Sequence, residues 1–438
     1  MNTSRKYLAR EIDAIISKHY QPDLPGCAVV VVRGTETIFR KGFGLANMEL
    51  NVPIQPESVF RLASITKQFT AVAILMLVER GKLALSDPLT KLLPSFPAHG
   101  KRITVEHLLT HTSGLKSLPV GAPEFMRQEK EDRKVAEVID YFKDQPPDCP
   151  PSERCVYNNY GYQLLGAIIE QASGLSYKAF LKKNIFDKLG MTNTYHDRHE
   201  SVIPGRVAGY TRQDSHFANA RYISMTQIYA AGELASSVDD LMRWNQVLRT
   251  NQLIKRSTRD KAWSQYQLKS GAYTTCGYGW MCLDMNGERI VEHAGGCSGF
   301  AGMVKWLPER DCFLAILDNS SGSVSSIPFM AYQIASLLAN KPHHEPEVQT
   351  LTAKKLSRYV GTFQFAPGFE SVVTRRGSHL FYQPYPGSPQ VELLPFVPHK
   401  FFMRDSIEQC HFITDERGAI TAFKWCVAGQ DVGEAQRV

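Results

Sequence analysis

One stretch limits the fold more than any other: residues 65–80 read as a helix with no polar side. Residues 71–78 run Ala-Val-Ala-Ile-Leu-Met-Leu-Val, and Gly81 follows at the position where helices commonly end. A helix that is apolar all the way round has to be enclosed by other structure. The run is far shorter than the ~20 residues that cross a bilayer, so the enclosure is a folded core. Ser64 opens this helix and Lys67 follows one turn later, so the two share a face.

The chain has the material to enclose such a helix. It has 438 residues, 43% hydrophobic and 21% charged, the balance of an ordinary globular protein. Domains of ~100–200 residues make two units, or one large unit with an appendage, the expectation. The net charge of +7 is scattered, and basic runs are no longer than pairs such as Lys182 with Lys183. A nucleic-acid binder needs a basic stripe or a known module, so no nucleic-acid partner is expected, and no membrane one either. Residues 1–21 alternate charged and apolar side chains, unlike a secretory signal. The nine cysteines are odd in number, and spacings such as Cys149 to Cys155 fit no zinc pattern. Unpaired thiols are commonest in reducing compartments, which points to the cytoplasm. A signal removed before the numbering starts would instead allow a periplasmic or secreted protein.

Residues 28–32 and 37–40 read as a hairpin. Helical periodicity returns over 162–172, stopped by Gly174, and over 239–248, opened by Ser237. Residues 289–293, 302–307 and 312–317 are short apolar runs of antiparallel type, and a helix over 328–338 follows. Strands at both ends with helices between predict an α+β domain: an antiparallel sheet built from both termini, flanked by helices, with a helical lobe inserted. This domain is expected over 1–340, and the polar, Pro-containing segment 341–350 reads as a linker. Over 351–438, strand runs at 359–363, 371–375, 379–382, 391–396, 400–403, 410–413 and 420–425 predict a small all-β barrel.

Three motifs carry candidate chemistry. In Ser64-Ile65-Thr66-Lys67, a lysine at the mouth of a buried apolar helix has its pKa lowered by desolvation, which frees an amine to activate the serine. In Tyr157-Asn158-Asn159, a loop rich in proline presents a phenol able to exchange protons and an amide able to hold a carbonyl. In His293-Ala294-Gly295-Gly296, small residues at a strand end leave room for a substrate backbone. The N–H groups of Gly296 and Ser64 would there form an oxyanion hole. Singly, each has a plainer explanation: a helix cap with a surface lysine, an aromatic anchor with a capping Asn, a turn.

Together, and in this order, the motifs resemble the penicillin-recognising serine hydrolases: class C β-lactamases, serine DD-peptidases, D-aminopeptidases and related esterases. The stretches at 108–115 (LLTHTSGL), 160–169 (YGYQLLGAII) and 230–240 (AAGELASSVDD) are similar too. The resemblance implies a β-lactamase/transpeptidase-like fold and a two-step acyl transfer. Ser64 would be the acylated nucleophile. Lys67 and Tyr157 would share the general-base and general-acid roles, and Asn159, His293 and Gly295 would bind a small-molecule or peptide substrate. No metal or organic cofactor is implied. His293-Ala294-Gly295 stands where many β-lactamases and DD-peptidases have Lys-Thr-Gly. That favours D-amino-acid peptides and amides, or small esters, over β-lactams. A peptide-cyclising thioesterase, a β-lactamase and a catalytically silent scaffold remain the alternatives. The last segment resembles a lipocalin-like barrel, which in relatives shapes the active-site mouth or mediates homo-oligomer contacts. Cys297 lacks a paired base, and residues 196–200 do not form a zinc motif.

Overall fold

Two apolar runs nearly 300 residues apart in sequence lie side by side. Cys27–Arg33 (β1) is a valine-rich strand, buried except at its last residue. It pairs antiparallel with Cys312–Asp318, from Cys27 opposite Asp318 to Arg33 opposite Cys312. On its other side it pairs with Glu36–Phe43 (β2) through a two-residue turn. With Met281–Met285 (β3), Glu288–Cys297 (β4), Phe300–Leu307 (β5) and Cys312–Asp318 (β6), these form one six-stranded sheet in the order β3-β4-β5-β6-β1-β2. The sheet is thus built from both ends of the domain, as the order of apolar runs predicts. The protein is described by a computed structural model over residues 4–116, 129–213, 216–285, 287–321, 327–366, 369–385 and 387–438.

The chain divides into two compact units. One comprises Met1–Leu283 and Arg289–Ile327, the other Asp284–Glu288 and Pro328–Val438. In the first, Arg5–Ser17 (α1) buries Leu8, Ile12 and Ile16, spaced one turn apart, and packs on β2. Val238–Arg249 (α4) packs on β1 and β6, its first turn capped by Ser237, whose side chain accepts from the Asp240 N–H.

The apolar helix is Thr66–Glu79 (α2), preceded by a 3-10 turn over Ala63–Ile65. Every residue from Thr66 to Leu77 is buried, so the enclosure inferred from its composition is observed. Its end follows from Gly81, whose φ of 67° lets the chain turn back. The N–H of Lys82 then bonds the Leu77 carbonyl and that of Gly81 the Val78 carbonyl, which satisfies the last turn. Asn159–Ser173 (α3) lies against α2.

In the second unit, eight strands from Gly361–Ala366 to Gln430–Arg437 close a barrel, each pairing with its neighbour in sequence and the last with the first. Phe363, Phe401, Phe412 and Phe423 fill it. Seven of the eight strands overlap runs read from the sequence. The exception is Gln430–Arg437, in which only Ala435 is buried, so no apolar alternation marks it. Tyr359 sits in a 3-10 turn instead of a strand. The up-and-down order is the one seen in lipocalins. Among the described residues, no helix is long and apolar enough to cross a membrane.

Candidate active site

The site is assembled where four segments meet the start of α2. Phe60–Arg61 pairs with Leu234–Ser236, and the Leu62 N–H bonds the Leu234 carbonyl at 2.8 Å. Thr66 Oγ1 accepts from the Leu234 N–H at 3.2 Å. Held at both ends, Ala63 takes a φ of 45°, a conformation that costs a non-glycine residue about 1–3 kcal/mol. This turn carries Ser64, which is partly exposed, directly into the buried helix.

Lys67 is wholly buried. Its Nζ donates to Ser64 Oγ at 3.1 Å, Asn159 Oδ1 at 2.8 Å and the Ala231 carbonyl at 2.8 Å. All three donor positions of an ammonium are used, yet no partner is a carboxylate. Burial therefore dominates and pushes the Lys67 pKa well below the ordinary lysine value. The same Nζ lies 4.8 Å from the centroid of the Tyr157 ring. The Tyr157 phenol hydrogen-bonds Ser64, and burial raises its pKa well above that of a free tyrosine.

His293 sits on β4, its ring 6.1 Å from that of Tyr157. Its Nδ1 lies 2.6 Å from the Ala294 carbonyl. Burial and the nearby Lys67 charge lower its pKa to about 3, so the imidazole is neutral at physiological pH. Two residues on, Gly295 lies against the turn before the serine: a Cβ there would come within 2.1 Å of the Leu62 carbonyl oxygen. A Cβ on Gly296, paired in register with Ala301, would meet open space. Ser64, Lys67, Tyr157, Asn159, His293 and Gly295, picked from three distant motifs, are thus gathered round one hydroxyl and the strand beside it.

Two further residues hold this group, and sequence reasoning did not single them out. His111, with a φ of 58°, is buried under Tyr157, ring to ring at 4.4 Å. Burial, and then the charge of Lys67, keep it neutral, and its Nδ1 accepts from the Asn158 N–H at 3.0 Å. Asn158 is the residue between Tyr157 and Asn159. It caps α3 by accepting from the Gly161 N–H at 3.1 Å and donates to the Leu115 carbonyl at 2.7 Å. The capping role is thus real but belongs to Asn158, which leaves Tyr157 and Asn159 facing Lys67. The signal for His111 was present in the LLTHTSGL stretch, without a chemical reason to prefer its histidine.

Asn158→Ala removes the cap and leaves the Leu115 carbonyl without its partner. We expect it to cost about 2 kcal/mol, read as a lower denaturant midpoint at unchanged m-value. Because Asn158 touches no reacting atom, activity should fall less than that of any variant at Ser64 or Lys67.

Comparisons with known proteins bear on the fold and the family. The family model described as Beta-lactamase matches residues 10–339, and that described as Domain of unknown function (DUF3471) matches residues 345–435. Penicillin-binding protein 4* of Bacillus subtilis is 29% identical over 95% of this chain and 95% of its own length. The octameric penicillin-binding protein homologue from Pyrococcus abyssi is 25% identical, with a TM-score of 0.69 over 99% of this chain and 100% of that one. The D-amino acid amidase from Ochrobactrum anthropi, 22% identical, shares the fold at a TM-score of 0.67 over 76% of this chain and 99% of its own. A match over three-quarters of the sequence, joined to the serine and lysine at the head of α2, makes this chain a member of the Beta-lactamase family of serine hydrolases.

Proposed function

We propose that the protein cleaves amide or ester bonds through an acyl-enzyme on Ser64, acting on D-amino-acid-containing peptides and amides or on small esters. One observation carries the reading: a single hydroxyl touches two proton-transfer groups, Lys67 Nζ at 3.1 Å and the Tyr157 phenol. A lysine with a lowered pKa holds a useful fraction of neutral amine, and that amine takes the Ser64 proton as the oxygen attacks the carbonyl. Tyr157, protonated at neutral pH, delivers a proton to the leaving nitrogen or oxygen as the bond to carbon breaks. Water then attacks the acyl ester by the reverse proton path, with Lys67 and Tyr157 sharing the base and acid roles. The N–H groups of Ser64 and Gly296 hold the oxyanion. The Asn159 amide, His293 and the strand at Gly295 position the substrate.

The neutral His293 supports the substrate class. A charge-assisted hydrogen bond to a substrate carboxylate is worth about 1.5–3 kcal/mol, one to two orders of magnitude in rate or affinity. A neutral imidazole followed by Ala294 supplies none, so substrates recognised through a carboxylate, β-lactams among them, are disfavoured. The fold shared with a D-amino acid amidase is in keeping with this. Residues 1–340 would form the hydrolase domain, 341–350 a linker, and 351–438 a barrel that shapes the mouth or joins subunits. The octameric state of the Pyrococcus abyssi homologue supports a homo-oligomer here. Nine cysteines, all free, support a cytoplasmic location.

The test is a panel of p-nitrophenyl esters, D- and L-aminoacyl anilides, nitrocefin and a peptidyl thioester, run on wild type and Ser64→Ala. Esters or D-aminoacyl anilides should turn over and nitrocefin should lag them by at least about tenfold. Cyclic product from the thioester as the main activity would replace hydrolysis with cyclisation. His293→Lys combined with Ala294→Thr should raise nitrocefin kcat/KM about 10–100-fold, since it restores a cation and a hydroxyl for the carboxylate. No gain in a folded double variant would remove the electrostatic explanation of specificity.

A further inference from the structure

Two thiols stand on the rim of the site and take no part in the chemistry above. Cys155 lies two residues before Tyr157, and its Sγ is 2.8 Å from that of Cys276, 121 residues away in sequence. The pair joins segments that both frame Ser64. On one side is the loop that delivers Tyr157, where Cys155 Sγ also faces the Thr110 carbonyl at 3.6 Å, beside His111. On the other is the turn after Cys276, which lies against α2: a Cβ on Gly279 would come within 2.8 Å of the Lys67 carbonyl oxygen. Cys276 also lies near the Tyr157 phenol.

The partners differ as an attacking and a resolving thiol should. Cys155 is partly exposed, whereas Cys276 is only 3% exposed. The more accessible sulfur is the one a peroxide reaches, and the buried one stands behind it to resolve. A disulfide bond is about 2.05 Å long, so closure asks for a shift of less than ~1 Å.

We propose that Cys155 and Cys276 are an oxidative modification site, a dithiol that closes to a disulfide under a peroxide and slows acyl transfer at Ser64. The Cys155 thiolate attacks one peroxide oxygen and the O–O bond breaks. Hydroxide leaves and gains a proton to become water, and Cys155 becomes a sulfenic acid. The Cys276 sulfur then attacks the sulfenic sulfur, an S–S bond replaces the S–O bond, and the hydroxyl departs as water with the Cys276 proton. In sum, two thiols lose two electrons and two protons, and one peroxide becomes two waters. In a reducing compartment such a bond is transient, as befits a sensor. The slowing, though not the bond itself, rests on the proposed role of Ser64. A tether that displaces the Tyr157 phenol even slightly is costly, since a misplacement of ~1 Å costs about 10²-fold.

The experiment uses the full chain. It is treated with hydrogen peroxide at low molar excess, its remaining thiols are alkylated, its peptides are mapped by mass, and p-nitrophenyl ester turnover is followed in parallel. The expected result is a linked peptide containing Cys155 and Cys276, with turnover down by roughly tenfold and restored by dithiothreitol. Cys155→Ser and Cys276→Ser should each keep the untreated rate within about twofold and resist peroxide. Two alkylated, unlinked thiols after treatment would overturn the proposal, as would a linked peptide with unchanged turnover. Absence of turnover of every p-nitrophenyl ester and aminoacyl anilide before any treatment would defeat the Ser64 reading and with it the slowing, while the peptide map still decides whether the disulfide forms.

Discussion

Ser64→Ala is expected to lower turnover of the best substrate by at least about 10⁴-fold and to leave the fold in place. On the proposed mechanism the size of the effect comes from losing the nucleophile itself: what would remain is binding and a preformed oxyanion site, which act on water only weakly. The fold survives because the removed group is one oxygen on a partly exposed side chain. Lys67 keeps Asn159 Oδ1 and the Ala231 carbonyl as acceptors, each at 2.8 Å. Matched thermal melts of the two proteins separate loss of chemistry from loss of structure. A variant that melts like wild type yet retains a tenth of its activity would assign the chemistry to another group.

Lys67→Met is expected to lower kcat about 10³-fold or more, without a matching loss of stability. Lys67 is 0% exposed and bonded only to neutral oxygens, so the folded state carries an uncompensated tendency to expel charge. Methionine fills similar space and relieves that burden. The lost bonds to Asn159 and Ala231 work in the opposite direction, at about 1–3 kcal/mol for each acceptor left without a partner. A melting temperature within a few degrees of wild type, together with the loss of activity, is the result that fits. The pH profile carries the sign of the same effect. On the proposed mechanism Lys67 acts when neutral, so acylation should rise with pH as the ammonium loses its proton, and burial places that rise below the ordinary lysine range. The limb should vanish in Lys67→Met. His293, already neutral above about 3, contributes no limb near neutrality.

Much of this was legible in the sequence because it depended on local composition. The apolar run at 71–78 dictated burial of α2 whatever surrounded it, and Gly81 and Ser237 marked helix ends through chemistry contained within one turn. The apolar runs at 28–32 and 312–317 announced the valine strand Cys27–Arg33 and its late partner Cys312–Asp318. What escaped was set by tertiary contact. Nothing in the letters around Ala63 foretells a φ of 45°, which is imposed by the pairing of its flanks with Leu234 and neighbours. The Ala231 carbonyl completes the Lys67 shell through its backbone alone, so side-chain motifs could not reveal it. Likewise His111 supports Tyr157 by ring contact across 46 residues of sequence, and α1 hides its three buried positions among charged ones.

The central claim is that Ser64 becomes covalently acylated, and trapping the intermediate tests it most directly. Wild type and Ser64→Ala would be quenched in acid during turnover of a slow ester, and the intact mass and digest read. The account predicts one added acyl group on the wild-type peptide containing Ser64, and none on the variant. An adduct on Cys297, whose thiol burial has pushed up to about 11, or equal labelling of both proteins would contradict it.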